Sequence, residues 1–233
     1  MTTLVLVPGT LCDERLWRGQ IAALADVANV TVASVTEDDS VEAMARRLLE
    51  RSPETFSLAG LSLGGIVAME VMRLAPERVT RLALLDTNPN PPKPEQLEVW
   101  SRQIEATERG AFRETVERDF LPMLLHPSRY ADEALLRDVR GMIDAVGATS
   151  FVKQLRANAG RPGARDVLPQ VRCPALVLAG RQDRLCPPEM QADLASLLPA
   201  AKLALIEECG HLSAMERPEA VAAAMREWLQ APA

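Results

Sequence analysis

Six short runs rich in branched apolar residues recur along the chain: "LVLV" at 4–7, "VTVASV" at 30–35, "FSLAGL" at 56–61, "LALLD" at 82–86, "ALVLAG" at 175–180 and "LALIE" at 203–207. A strand with one wet face alternates apolar and polar residues. These runs are nearly continuous, which predicts a sheet buried on both faces and therefore parallel. Parallel neighbours need crossover connections, and helical patterns lie between the runs. Val41, Met44, Ala45, Leu48 and Leu49 follow the i, i+3, i+4, i+7, i+8 rule, with Asp39 and Glu42 placed as the N-cap and N3 of a capping box. Met190, Leu194, Leu197 and Leu198 form a second stripe, and Val221, Ala224, Met225, Trp228 and Leu229 a third behind Pro218 at N1. Alternating strands and helices predict an α/β chain with a mostly parallel, doubly wound sheet of about six strands.

One region interrupts the alternation. Between "TNPNPPKPEQ" at 87–96 and "GRPGARD" at 160–166 no strand pattern occurs, while Leu135, Leu136, Val139, Met142 and Ile143 give a clean helical face. Residues 88–163 are therefore expected to be a helical insertion into a core made of residues 1–87 and 164–233, since the chain returns to the same sheet afterwards.

The third run leads into "GLSLG" at 60–64, which fits G-x-S-x-G with a buried strand before it and the apolar helix "GIVAMEVMRLA" after it. On so sharp a turn a serine hydroxyl projects from the end of the sheet. Gly60 and Gly64 are expected where side chains would collide with backbone, and Gly65 lets the helix start close to the strand. The free N–H groups and positive end of the helix favour the negative charge that develops when a carbonyl is attacked. Ser62 is thus a candidate nucleophile.

A serine needs a base, and the base needs an orienting acid. Only two histidines exist, His126 and His211. His211, in "EECGHLSAMERP", follows the last expected strand and can return to Ser62, whereas His126 lies inside the helical region and is read as structural. Asp183, in "LAGRQDRLCP", follows the fifth run and is the candidate acid; Asp86, at the end of "LALLD", is a rival whose alternative role is to hydrogen-bond loop backbone. The order Ser62, Asp183, His211 places each residue beyond the carboxyl end of a strand, where open α/β sheets carry their sites.

Through "LVLVPGTL", "GLSLGG", "LVLAGRQDRLCP" and "CGHLSAMERP" the chain resembles the α/β-hydrolase fold enzymes over nearly its whole length, and within them small bacterial serine carboxylesterases such as the pimeloyl-carrier-protein methyl ester esterases. The resemblance implies a Ser-His-Asp triad, a helical lid over the pocket and an oxyanion hole built from the backbone N–H groups of Leu63 and Thr10. Two departures stand out: Pro8-Gly9 replaces the usual His-Gly, and "TEDD" at 36–39 replaces a glycine-rich loop, which is expected to open one wall of the pocket. Hydrolysis of a small or medium carboxylic ester follows as the expected activity. A thioesterase, a perhydrolase, a lyase or a carbon–carbon hydrolase would use the same triad, and a hydrolase-like receptor would bind a small ligand without turnover.

Candidate substrate-binding residues are Leu11, Leu185 and Leu212, next to the expected site, and Trp100, Phe120, Leu124, Leu125 and Met142 in the lid, where packing on the sheet is the competing role. Arg102, Arg129, Arg156 and Arg161 could meet an acidic group on a carrier, but surface arginines are common and no role is assigned to them. Cys12, Cys173, Cys186 and Cys209 lack CxxC spacing, so zinc is not indicated; free cysteines are usually small buried hydrophobes, which argues against a redox switch. No metal or organic cofactor is expected. A net charge of −6 and the absence of a basic cluster argue against nucleic acid as a partner, leaving a small-molecule ester. "MTTLVLVPG" has no positive region and too short an apolar run for a signal peptide or membrane span, so the chain is read as cytoplasmic. Nothing in the pattern selects an oligomeric state.

Overall fold

Each of the six apolar runs forms a strand in the computed structural model, which describes residues 1–232. The strands are β1 (Thr2–Val7), β2 (Ala28–Val32), β3 (Phe56–Leu61), β4 (Val79–Leu85), β5 (Ala175–Gly180) and β6 (Ala201–Ile206). All pairings are parallel, in the order β2-β1-β3-β4-β5-β6. The order reverses direction between β1 and β3, so crossovers cover both faces.

Side-chain alternation divides the core in two. Leu4, Leu6, Leu61, Leu85 and Leu178 share one buried cluster, while Val5, Val7, Leu58, Leu84 and Val177 belong to another. Double-sided burial holds for β3 and β5 but not for the edges. In β2 and β6 part of each strand is exposed, because each has a neighbour on one side only. β2 also stops at Val32, short of the expected 35.

The helices are α1 (Arg18–Leu24), α2 (Val41–Arg51), α3 (Leu63–Leu74), α4 (Pro94–Glu108), the single turns α5 (Phe112–Thr115) and α6 (Leu121–Leu124), α7 (Glu133–Gly160), α8 (Pro188–Leu197), the short α9 (Ser213–Glu216) and α10 (Pro218–Gln230). α1 and α10 contribute Leu24, Val221, Met225 and Trp228 to the first cluster; α2, α3 and α8 contribute Met44, Val67 and Leu194 to the second. α3 is buried almost all round, as a helix inside an α/β core must be. Pro218 takes N1 of α10 as expected.

The cap of α2 differs from the sequence reading. Ser40, not Asp39, is the N-cap, with extended backbone and an Oγ that accepts the Ala43 N–H at 3.2 Å. Glu42 then falls at N2 and pairs with Arg46 one turn on, at 2.8 Å.

Between β4 and β5 residues 88–163 are without strands. α7 is broken at Gly147, whose φ of 74° lies in the left-handed region. Val116, Leu121, Val139, Met142, Phe151 and Leu155 from this segment join the cluster that contains Leu4 and Leu6, so one core runs from the sheet into the helices. Its two ends lie side by side, with the Ala164 N–H donating to the Pro89 carbonyl at 2.8 Å.

Replacing Ser40 with Ala is expected to cost about 1 kcal/mol of stability, the usual worth of an N-cap. Asp39→Ala should stay within about 0.5 kcal/mol. Urea unfolding of the two variants separates the assignments.

Candidate active site

The turn from β3 into α3 is built around close backbone contacts. A Cβ at Gly60 would lie 2.2 Å from the Gly64 carbonyl oxygen, and one at Gly64 2.1 Å from the Val7 carbonyl oxygen. Only glycine lets the first turn of α3 seat against the end of β1. Ser62 between them has φ 56° and ψ −118°, strain of about 1–3 kcal/mol for a residue with a Cβ. Two bonds hold it there: its N–H donates to the Leu85 carbonyl at 2.9 Å, and the Thr87 hydroxyl donates to its carbonyl at 2.7 Å. Gly65 makes room for Thr87, since a Cβ would meet that side chain at 2.6 Å.

The loop after β6 brings His211 to this turn. Its Nε2 lies 2.9 Å from Ser62 Oγ and its Nδ1 2.8 Å from Asp183 Oδ2. With the carboxylate accepting from Nδ1–H, Nε2 is left to accept the serine proton. Asp183 is held in turn, its Oδ1 accepting the N–H groups of Leu185 at 2.8 Å and Cys186 at 3.0 Å. Asp183 and His211 are both buried. Burial alone would depress the imidazole, but the Asp183 carboxylate, with smaller help from Asp86 and Glu216, outweighs it and holds the His211 pKa above its ordinary 6.5.

Asp86 is equally buried but faces elsewhere. It accepts the Gly180 N–H at 2.9 Å and the Ser213 hydroxyl, the loop-bonding role considered as its alternative. Burial, then the charge of Asp183, pushes its carboxyl well up. His126 bonds the Ser128 hydroxyl through Nδ1 at 2.7 Å. Glu216 was not singled out in the sequence, yet it ties the site together. Its buried carboxylate accepts the Gly210 N–H at 3.0 Å and the His126 N–H at 2.8 Å, joining the histidine loop to the helical segment.

The Gly9 turn lies against the serine, a Cβ at Gly9 being 3.2 Å from Ser62 Cβ. Among the described residues no acceptor takes the backbone N–H of Thr10 or of Leu63. Leu11 has φ 58°, and its N–H donates to Gln154 Oε1 at 3.0 Å. Gln154 also donates to the Val35 carbonyl at 3.1 Å, so α7 covers the region beside "TEDD". Around this loop Arg47 pairs with Glu37 and Asp38, Arg51 with Glu37, and Lys153 binds the Glu37 carbonyl. One turn after Gln154, Asn158 donates to Thr10 Oγ1 at 3.4 Å.

A cavity of about 140 Å³ opens onto Ser62 and His211. Trp100, Phe120 and Leu185 line it, together with Ile66 and Leu155. Its polar side carries Thr87, Asn88, Gln96, Asn158 and Arg161. Five expected lining residues lie elsewhere. Leu11, Leu124, Leu125, Met142 and Leu212 are buried in the sheet-facing core; for Leu124, Leu125 and Met142 the helical segment needs apolar side chains to pack on the sheet. Leu124 contributes through its carbonyl, which accepts the N–H groups of His211 and Leu212 at 3.0 and 3.1 Å. Gln154 and Asn158 left a faint trace in the sequence: amides spaced i, i+4 beside Phe151 and Leu155. Arg161 stands in the sequence only as one of four arginines able to meet an acidic group, since its burial is decided by what packs around it.

Asp183, Cys186 and His211 place ligand-type atoms within 4.8 Å of one another. Both imidazole nitrogens are engaged by hydrogen bonds, and burial followed by the Asp183 charge holds the Cys186 thiol well up, so this donor set suits proton transfer rather than a cation. All four cysteines are free; burial pushes the Cys12 thiol up to about 12 and Cys209 higher still. Thiols so held are poor redox nucleophiles.

The profile of the alpha/beta hydrolase family matches residues 4–224. A pimeloyl-[acyl-carrier protein] methyl ester esterase of Nitrosomonas europaea is 26% identical over 93% of this chain and 91% of its own length. A thermophilic esterase from Thermogutta terrifontis, solved with malate bound, superposes with a TM-score of 0.89 at 30% identity, covering 99% of this chain and 90% of that one. The enol-lactonase of Burkholderia xenovorans LB400 has the same TM-score, 0.89, at 19% identity, over 99% of this chain and 92% of its own, and shares the fold.

Two outcomes follow from this geometry. Gly64→Ala should lower stability by more than about 3 kcal/mol, because the obstacle is backbone, and thermal unfolding reads it. His211 should titrate above 6.5 by NMR of the two histidines, and Asp183→Asn should move that transition down.

Proposed function

The chain belongs to the alpha/beta hydrolase family, and on that premise we propose that it is a serine esterase that cleaves a small carboxylic ester through an acyl-enzyme. The observation that carries this reading is the unbroken relay from Ser62 Oγ through His211 to Asp183, at 2.9 and 2.8 Å. Similarity to a methyl ester esterase and to a thermophilic esterase supports an ester as the bond cleaved.

In this mechanism His211 Nε2 takes the proton of Ser62 as Oγ attacks the ester carbonyl. The N–H groups of Thr10 and Leu63 receive the oxyanion, reinforced by the N-terminus of α3; one such donor is worth about 3–4 kcal/mol in the transition state. Asp183 keeps the imidazole in the productive tautomer and stabilises it once charged. His211 then protonates the leaving alcohol and activates the water that releases the acid. Residues 88–163 act as a lid on a core of residues 1–87 and 164–233, presenting Trp100, Phe120 and Leu155 to the acyl group. A cavity of about 140 Å³ is small beside the several hundred Å³ of pockets for drug-sized ligands, which favours a short acyl chain. Among the described residues no helix is long and apolar enough to cross a membrane.

Wild type should react with a fluorophosphonate probe and hydrolyse p-nitrophenyl acetate faster than the octanoate. Ser62→Ala should lose labelling and about 10⁴-fold or more in kcat. Because only neutral His211 can accept the proton and its pKa is raised, kcat/KM should fall with a one-proton slope as pH drops, with a midpoint above 6.5. An unlabelled wild type that turns over no ester would sink the reading.

A further inference from the structure

One buried cation lines the cavity and takes no part in the ester chemistry. Arg161, just beyond α7, is only 5% exposed and lines the same cavity as Ser62 and His211. Most arginines of this chain that approach another charge meet a carboxylate. Arg161 meets none among the described residues.

A guanidinium has five N–H donors, and three of them can be accounted for. Nε donates to the Asn90 carbonyl, and Nη1 to the Asn158 carbonyl and side-chain oxygen, each at 3.2 Å. All three acceptors are neutral. The face of the group stacks on Trp100, 5.3 Å from the ring centroid. The two N–H groups of Nη2 meet no acceptor among the described residues. A buried cation without a counter-ion is costly to hold, and here burial pushes the pKa down to about 10. No Asp or Glu lines the cavity. What it lacks is an anion, and a carboxylate is the group whose oxygens fit guanidinium donors.

We propose that this pocket selects carboxylic esters that carry a second, ionised carboxylate, which the free Nη2 of Arg161 receives. The inference rests on the esterase reading. Asn158, which holds Nη1, also donates to Thr10 Oγ1 at 3.4 Å, so the guanidinium stands two side chains from the Thr10 amide. In a cavity of about 140 Å³ the carboxylate and the scissile ester are then a few bonds apart, their methylenes against Trp100, Phe120 and Leu155. Hydrolysis breaks the acyl C–O bond. Water supplies hydroxyl to the acyl carbon and a proton to the alcohol oxygen, and no electrons are exchanged. The substrate class is the monoester of a short dicarboxylic acid, or a short ester whose alcohol bears the carboxylate.

The test compares kcat/KM in a pH-stat for two matched pairs: monomethyl glutarate against methyl pentanoate, with the carboxylate on the acyl side, and acetoxyacetate against ethyl acetate, with it on the alcohol side. In at least one pair the anionic ester should be preferred by tenfold or more, and Arg161→Gln should cut that ratio by tenfold or more, with part of it restored in Arg161→Lys. A merely structural arginine would change both members of a pair together, leaving the ratio where it was. Wild type needs no variant for a second reading: glutarate should inhibit competitively and glutaramide should not. Ratios below tenfold in both pairs, a ratio unmoved by Arg161→Gln, or equal inhibition by glutarate and glutaramide would each overturn the proposal. If wild type hydrolyses the neutral esters and takes up the fluorophosphonate, such a result leaves the esterase reading standing. If it does neither, that reading fails, and saturable glutarate binding by calorimetry, weakened tenfold in Arg161→Gln, still decides the anion site.

Discussion

The site depends on one contact between backbones: the carbonyl of Val7 occupies the space a side chain at residue 64 would need. That approach locks the end of β1 to the start of α3, and Gly60 permits the matching contact from the β3 side. Ser62 is left in a left-handed conformation no strand or helix would choose, with its backbone held by Leu85 and Thr87. The same contact puts Gly9 beside the serine. Strain at Ser62 and the position of the Thr10 amide are thus two consequences of one packing event.

The rest of the arrangement comes from loops at the carboxyl ends of the parallel strands, and they are not independent. The His211 loop is pinned by the Leu124 carbonyl from the helical segment, and Glu216 binds Gly210 and His126 at once. Gln154 and Asn158, one turn apart on α7, clamp Leu11 and Thr10. The helical segment therefore both lines the cavity and holds the loops around Ser62 and His211. Because its long apolar residues mostly join the sheet-facing core, the cavity beneath it stays small.

Charge is distributed with the same economy. Three buried acids, Asp183, Asp86 and Glu216, lie on one side, and of these only Asp183 touches the imidazole. Ser213 and Gly180 occupy Asp86, and backbone N–H groups occupy Glu216. Arg161 stands apart from them in the cavity, satisfied by carbonyls and an aromatic face but by no acid. One small volume thus holds an imidazole bonded to a carboxylate and a guanidinium with no acid partner among the described residues.

Local pattern determined much of this molecule. Continuous apolar runs marked all six strands, and the helical periods marked α2, α8 and α10. "GLSLG", "GRQDRLCP" and "CGHLSAMERP" marked the residues that meet in the Ser62–His211–Asp183 array, because a tight turn needs particular residues at particular offsets and that need is written locally. What tertiary structure alone decided is whatever depends on partners distant in sequence. Edge exposure of β2 and β6 follows from strand order, and the switch of the α2 cap to Ser40 from how the preceding loop approaches. Leu124 and Met142 are buried in the core without lining the cavity, while Leu155 belongs to the same core and also lines the cavity, being on the part of α7 beyond Gly147 that carries the Gln154 and Asn158 contacts to Leu11 and Thr10. Arg161 is indistinguishable from a surface arginine in sequence, since the burial of a charge is a property of everything packed around it.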